Sequence, residues 1–254
     1  MNPFLIFDVM RFELSRSMTA GRIAIWLVLV AFPVGLISLL KLISGFDQPE
    51  VWGFTVYFLV PEVVCMLGLL LWATPVVATE IEGQTWIYLA MRQSGRTTVL
   101  LGKYMTSIVW TFAAAVAGIT LSMMILIPDD VVFVWAVMCA LAGLSCFAHA
   151  AIYLLIGVVF HSRTMVTAVV YTLVIEYGLS FVPAVANKLT VNYRLRGLLV
   201  EWMDWETVKI QARVVFGDEP ASTHLFAIGT FTAICLTAAV IRLSTAEYPT
   251  QQDG

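Results

Sequence analysis

The sequence predicts an all-α membrane protein. It has six transmembrane helices, an amphipathic N-terminal interface helix, a cytoplasmic helix between spans 2 and 3, and short outer helices between spans 5 and 6. Three observations lead there. Of the 254 residues, 60% are hydrophobic and 12% charged, against about 45–50% and about 25% in a soluble domain. Apolar runs near the roughly 20 residues that cross a bilayer occur at 23–40, 57–78, 105–127, 131–160, 165–186 and 225–241. Some connections are so short, "PDD" and "HSR", that the neighbouring spans must run antiparallel. With no low-complexity tract or long linker, residues 1–254 read as one transmembrane domain. A net charge of −3 with no basic stripe excludes a nucleic-acid footprint.

Residues 1–22 form the interface helix, with Leu5, Val9 and Phe12 on one side and Asp8, Arg11 and Ser15 on another. Their mixed charges do not resemble a cleaved secretory leader. Spans 1 to 5 occupy 23–186, and Pro61 and Pro75 predict kinks or frayed ends in the second. Residues 187–223 are too polar to span. There Leu198, Trp202, Trp205, Val208, Ala212 and Val215 recur at helical spacing between Gly197 and Gly217, as one or two short helices over the outer mouth. Trp202 and Trp205 suit the interface and are the candidate outer gate; a cap with no gating role reads equally well. The sixth span lies in 224–243 and a cytoplasmic tail in 244–254.

With both termini cytoplasmic, Arg11, Arg16, Arg22, Arg92, Arg96, Lys103, Arg163 and Arg242 fall inside. Lys41, Lys188, Arg194, Arg196, Lys209 and Arg213 fall outside, nearly all in the one long segment, which the positive-inside rule governs least. Cys65, Cys139, Cys146 and Cys235 sit in apolar runs without disulfide or zinc spacing, so no metal is expected.

Between spans 2 and 3 stands "ATEIEGQTWIYLAMRQSGRTTVLLGK", residues 78–103. Thr79 and Glu82 have the spacing of a capping box, predicting a helix that begins near Glu80, runs through Trp86, Leu89 and Ala90, and stops near Ser94 and Gly95. Thr97 or Thr98 would then cap the third span. Acids at its start, bases at its end and bulky apolar residues between suit docking to a soluble partner. This stretch resembles the signature of permease subunits of type-2 ATP-binding-cassette exporters, an E-x-E-x-G-T run, apolar residues, P-x-S-R and a closing L-G-K. Glu80 and Glu82 take the acidic places, Thr85 the threonine, Arg96 the arginine, and Leu101, Gly102 and Lys103 the closing trio. Gly83 stands one place early, and Gln93, Ser94 and Gly95 replace the proline-containing triplet.

The resemblance implies a permease that pairs with a second copy, identical or related, to give a twelve-span dimer in the cytoplasmic membrane. A separate ATPase subunit, carrying the ATP and magnesium, would grip the coupling helix and drive alternating access. On that implication Glu80, Glu82, Thr85, Trp86, Leu89, Arg96 and Lys103 are the partner-coupling residues. No nucleotide site is expected on this chain, because Gly95 and Gly102 are too far apart for a phosphate loop and Tyr104 replaces its magnesium-binding hydroxyl. The expected contacts are thus the ATPase, the second permease and lipid.

Three ionisable residues lie inside spans, where a charge costs about 2.5–3.5 kcal/mol. His149 lies 13 residues before Ser162 and Glu176 lies 14 after it, so an antiparallel hairpin brings them to one depth. They are expected to face each other, as a structural pair or as lining of a path. Glu62 is expected near the outer end of its span, facing water. A single histidine and glutamate without a nucleophile or metal cluster make an intramembrane enzyme a poor reading. A membrane scaffold that recruits a soluble partner without transporting anything stays open beside the exporter.

Overall fold

The computed structural model describes residues 3–44, 48–82, 95–179, 185–205 and 219–245. Among them every regular element is helical. Helix α1 is Pro3–Ser17. Thr19 then accepts a hydrogen bond from the Arg22 amide and caps α2, Ala20–Ser44. The second crossing comprises α3 (Pro49–Tyr57), a π-helical segment (Phe58–Val64), α4 (Cys65–Trp72) and, after a turn at 73–75, α5 (Val76–Glu82). Pro61 lies in the π-helical segment and Pro75 in the turn, where a residue without a backbone N–H interrupts the α-helical ladder. Helices α6 (Gly95–Leu126) and α7 (Val131–Val159) follow. Then come α8 (Thr164–Tyr171), a second π-helical segment (Thr172–Gly178), a 3₁₀ turn (Val185–Leu189), α9 (Val191–Met203) and α10 (Ala221–Thr245).

Among the described residues five helices are long and apolar enough to cross a membrane, which makes this an all-α, multi-pass membrane protein. Of the expected fifth span, 165–186, the described part is the apolar helix Thr164–Gly178; residues 180–184 lie outside the described residues, and the description resumes at Val185 with a 3₁₀ turn leading into α9. A hydropathy count reads through Gly178 without penalty, but Glu176 needs polar partners that lipid cannot supply, and the chain supplies them by bringing α9 to it.

The bundle is centred on α7, which packs against α6, α4, α9 and α10. Its inner face is Met138, Leu141, Cys146, Tyr153 and Leu154, all with 1% exposure or less. In contrast α2 and α10 are the least buried of the crossing helices, and their Val28, Leu42, Phe226 and Ile234 face outward. Lys103 binds Glu80 at one end of the bundle; at the other Lys41 donates to the Ile125 carbonyl. These are called the Lys103 end and the Lys41 end.

Helix α1 lies along the Lys103 end of α6. Gly102 makes this possible, since a Cβ there would sit 2.5 Å from a Val9 methyl. The Trp110 indole donates to Ser17 Oγ at 2.7 Å and fixes the end of α1. Val9 therefore turns inward, while Leu5 and Phe12 of the same stripe remain more than half exposed, as lipid contact requires.

Several expected boundaries move. The second crossing begins at Pro49, not 57, and buries Trp52 and Val56. No capping box forms at Thr79, because α5 starts at Val76 and the Thr79 hydroxyl bonds back to the Val76 carbonyl. Gly95 opens α6 instead of closing the helix before it, so Thr97 and Thr98 lie inside its first turn. Helix α9 begins six residues ahead of Gly197, capped by Thr190, whose hydroxyl accepts from the Tyr193 amide at 3.3 Å. Gly197 is buried in its middle against His224, and left-handed Asp204, φ 53°, ends it. Gly217, Val208, Ala212 and Val215 lie outside the described residues.

Candidate functional site

Two polar assemblies stand out in the apolar bundle. The first is at the Lys103 end. Lys103 extends from α6 and donates to the Glu80 carboxylate on α5, with about a tenth of each side chain exposed. The pair joins the two ends of the connection between the second and third crossings. Arg96 is half-buried in the first turn of α6. Glu82 is the last residue of α5, and nothing is described of its side chain; Thr85, Trp86 and Leu89 lie outside the described residues, as does most of the expected coupling helix. Glu80 is therefore engaged within the chain and is not an open acid for a partner's bases.

The second assembly lies in the middle of the bundle, where α9 meets α7, the second crossing and the segment 172–178. His149 and Glu176 are both fully buried, with His149 Nε2 3.8 Å from Glu176 Oε2. The hairpin thus brings together the two residues that its arithmetic placed at one depth. The Ser145 hydroxyl donates to the Pro61 carbonyl at 2.6 Å, which leaves the Ser145 oxygens as acceptors for His149 Nδ1–H at 3.0–3.1 Å. With Nδ1 as a donor, the imidazole aims its other nitrogen at the carboxylate.

Glu176 is the hub. Its Oε1 accepts from the Tyr171 hydroxyl at 2.9 Å and from the Val191 amide at 3.4 Å; its Oε2 accepts from the Asn192 amide at 3.1 Å. A buried carboxylate thus caps the N-terminus of α9, where unpaired N–H groups and the helix dipole favour an anion. Nearby, the Tyr153 hydroxyl pairs with Thr172 Oγ1 at 2.7 Å.

Glu62 was expected to face water near an outer end. It is instead fully buried, near the middle of the 32-residue crossing Pro49–Glu80. The reason is Arg196 on α9: its Nε lies 2.6 Å from Glu62 Oε1 and its Nη2 2.9 Å from Oε2, a two-pronged pairing between residues 134 apart in sequence. Arg196, placed with the outer-loop bases by position alone, reaches into the bundle.

Both glutamates thus hold α9, and both sit in the same local sequence. Tyr57 to Glu62 reads Y-F-L-V-P-E and Tyr171 to Glu176 reads Y-T-L-V-I-E. Each tyrosine immediately precedes a seven-residue π-helical segment that contains the glutamate. In π-helical geometry residue i+5 lies over residue i, which places the Tyr171 hydroxyl on Glu176. The Tyr57 hydroxyl is buried beside Glu62. The segments touch through Phe58 and Tyr177, whose rings meet edge to face at 6.5 Å. The sequence reading missed Arg196, Tyr171 and the backbone of α9; the repeated Y-x-L-V-x-E was the available signal.

Trp202 and Trp205 lie at the far end of α9, half-buried against the core. Trp205 packs on Phe54 with ring centroids 5.3 Å apart and lies so close to Gly53 that a Cβ there would fall 2.4 Å from its ring. Outside the bundle, Glu219 binds Lys188 at 2.7 Å and Arg194 at 2.6 Å. The Lys188 hydrogen bond holds the Glu219 carboxyl below its usual range. The described residues contain no cluster of three metal-ligating side chains. No protein-family model matches the chain, and no curated protein matches it either.

Proposed function

We propose that this chain is the membrane-spanning permease subunit of an ATP-binding-cassette exporter, working by alternating access with a separate ATPase. Two permease chains would form the pathway in the cytoplasmic membrane, termini inside. The observation that carries this reading is the Glu80 and Lys103 pair. The first acid and the last base of the signature-like stretch hold each other and close the neck of the segment between them. A segment pinned at its neck transmits force to two crossing helices at once, as a lever between a motor and a transport path must. Glu80 and Lys103 then maintain the neck, and Glu82, Thr85, Trp86, Leu89 and Arg96 are the proposed contacts with the ATPase. Trp86 is the residue type that most often anchors an interface.

The buried polar assembly supports the same reading. A protein that only anchored a partner would be better served by an apolar core, since a buried ion pair is often no more stable than hydrophobic residues of similar volume.

The test is affinity purification of the tagged chain from its native membrane in mild detergent, with identification of its soluble companion. Recovery of an ATPase that Trp86→Ala with Glu82→Gln releases is the expected result. A chain that purifies alone, or with a companion that hydrolyses no nucleotide, would refute the exporter reading and favour a non-transporting scaffold.

A further inference from the structure

Helix α9 is held both by an apolar face and by charged contacts. Leu195, Leu198 and Leu199 have no exposed surface and Tyr193 has 2%, so one face of it packs into the core. Yet two carboxylates also grip it at different places, Glu62 through the Arg196 side chain and Glu176 through the backbone of its first turn. The seat also carries polar capacity that this arrangement leaves unspent. Asn192 is fully buried with neither Nδ2 nor Oδ1 hydrogen-bonded among the described residues. Buried polar groups are normally satisfied. A surplus beside a helix held by ion-pair and cap contacts fits an element with a second position in which other pairings form. Both glutamates lie in π-helical segments, whose single turns frequently mark functional sites in membrane and soluble helices alike.

We propose that α9 is a movable plug held closed by two separate carboxylate latches, Glu62 on Arg196 at its middle and Glu176 on the amides of Val191 and Asn192 at its start. The twin Y-x-L-V-x-E segments are the latch plates. Releasing Glu62 frees the C-terminal half of α9 while its first turn stays capped; releasing Glu176 frees the first turn while Arg196 stays bound. Trp202 lies on the half that the Glu62 latch governs, and Trp205 follows just past its end. The inference rests on the geometry of this chain alone and is read without an ATPase, so its failure and that of the transport reading are distinguishable.

The experiment is labelling of the full chain in lipid nanodiscs with a hydrophilic maleimide. Cys65, Cys139, Cys146 and Cys235, all buried, are replaced by alanine. Single reporters are then placed at two buried sites, Val200→Cys and Val191→Cys, which are 7% and 2% exposed as valines. Glu62→Gln is expected to raise the labelling rate at 200 by about tenfold or more, the scale of one charged hydrogen-bonded contact, and to leave 191 within about twofold. Glu176→Gln is expected to do the reverse. The swap Glu62→Arg with Arg196→Glu restores slow labelling at 200, which a merely damaged fold would not. Unchanged labelling at 200 in Glu62→Gln, equal opening of both sites by either variant, or failure of the swap would overturn the proposal.

Discussion

Removing Arg196 should destabilise the protein far more than removing the charge of its partner. In Arg196→Met the Glu62 carboxylate, with no exposed surface of its own, loses both guanidinium hydrogen bonds and has no path to water. Leaving a buried charge unpaired costs about 3–5 kcal/mol. In Glu62→Gln the amide still accepts one hydrogen bond, and Arg196, with 27% of its side chain exposed, retains access to solvent. The loss there is about 1.5–3 kcal/mol, that of hydrogen bonds to a charged group. For a chain of this size each kcal/mol moves Tm by about 2–4 °C. Arg196→Met should therefore melt about 6–20 °C below the parent, followed by tryptophan fluorescence in nanodiscs, with Glu62→Gln clearly above it. Glu62→Leu with Arg196→Leu removes both charges and should melt near the parent or above it. The reasoning fails if Glu62→Gln is as damaging as Arg196→Met, or if the double leucine variant melts as low as Arg196→Met.

Gly53→Ala pushes a Cβ into the Trp205 ring and should cost about 1–3 kcal/mol through overpacking; thermal melts of a cycle with Trp205→Ala should show that loss disappear once the ring is gone. Thr190→Ala removes the cap of α9 and should cost about 1 kcal/mol, read as a lower Tm and faster amide exchange across Val191 to Tyr193. The Glu219 carboxyl is depressed first by its hydrogen bond to Lys188, so its stabilising contribution is present above its unfolded value, near 4.5, and is lost as pH falls through the lower folded value. The Tm of the parent should exceed that of Glu219→Gln by at most a few degrees at pH 7, and the two should converge in acid. A difference that persists at low pH would remove the ion pairs from the account.

How much of this was legible depends on the kind of signal each residue carries. Length and hydropathy suffice for α2, α6, α7 and α10, because an apolar run bounded by polar turns has few alternatives in lipid. The depth of His149 and Glu176 was legible because a three-residue turn fixes the register of a hairpin, leaving only simple counting. What hydropathy cannot see is which polar groups come to meet an ionisable residue inside an apolar run. Residues 165–186 read as one apolar run, and nothing in that run shows that Glu176 is satisfied by amides of the first turn of α9, a helix that starts fifteen residues later. Arg196 misled for the matching reason. A base in a polar segment between spans is placed in water by default, and only its distant partner Glu62 draws it inward.

The feature that connects these misreadings was itself present in the sequence as Y-x-L-V-x-E, written twice 114 positions apart. Neither copy is informative alone, since a tyrosine, two aliphatics and a glutamate in an apolar run are unremarkable. Their recurrence matters because an intramembrane carboxylate is costly, and two carrying the same local sequence imply two similar demands. Each glutamate binds α9 and each lies in π-helical backbone, which shifts the register enough to set Tyr171 over Glu176. A leucine pair in place of Glu62 and Arg196 would seat α9 at least as firmly. That such a pair is absent, in a helix already packed by Leu195, Leu198 and Leu199, argues that the glutamates serve the helix's ability to leave its seat as well as to occupy it. On that reasoning the double leucine variant would keep its fold and lose its opening, separating in one molecule the stability of the bundle from the movement it permits.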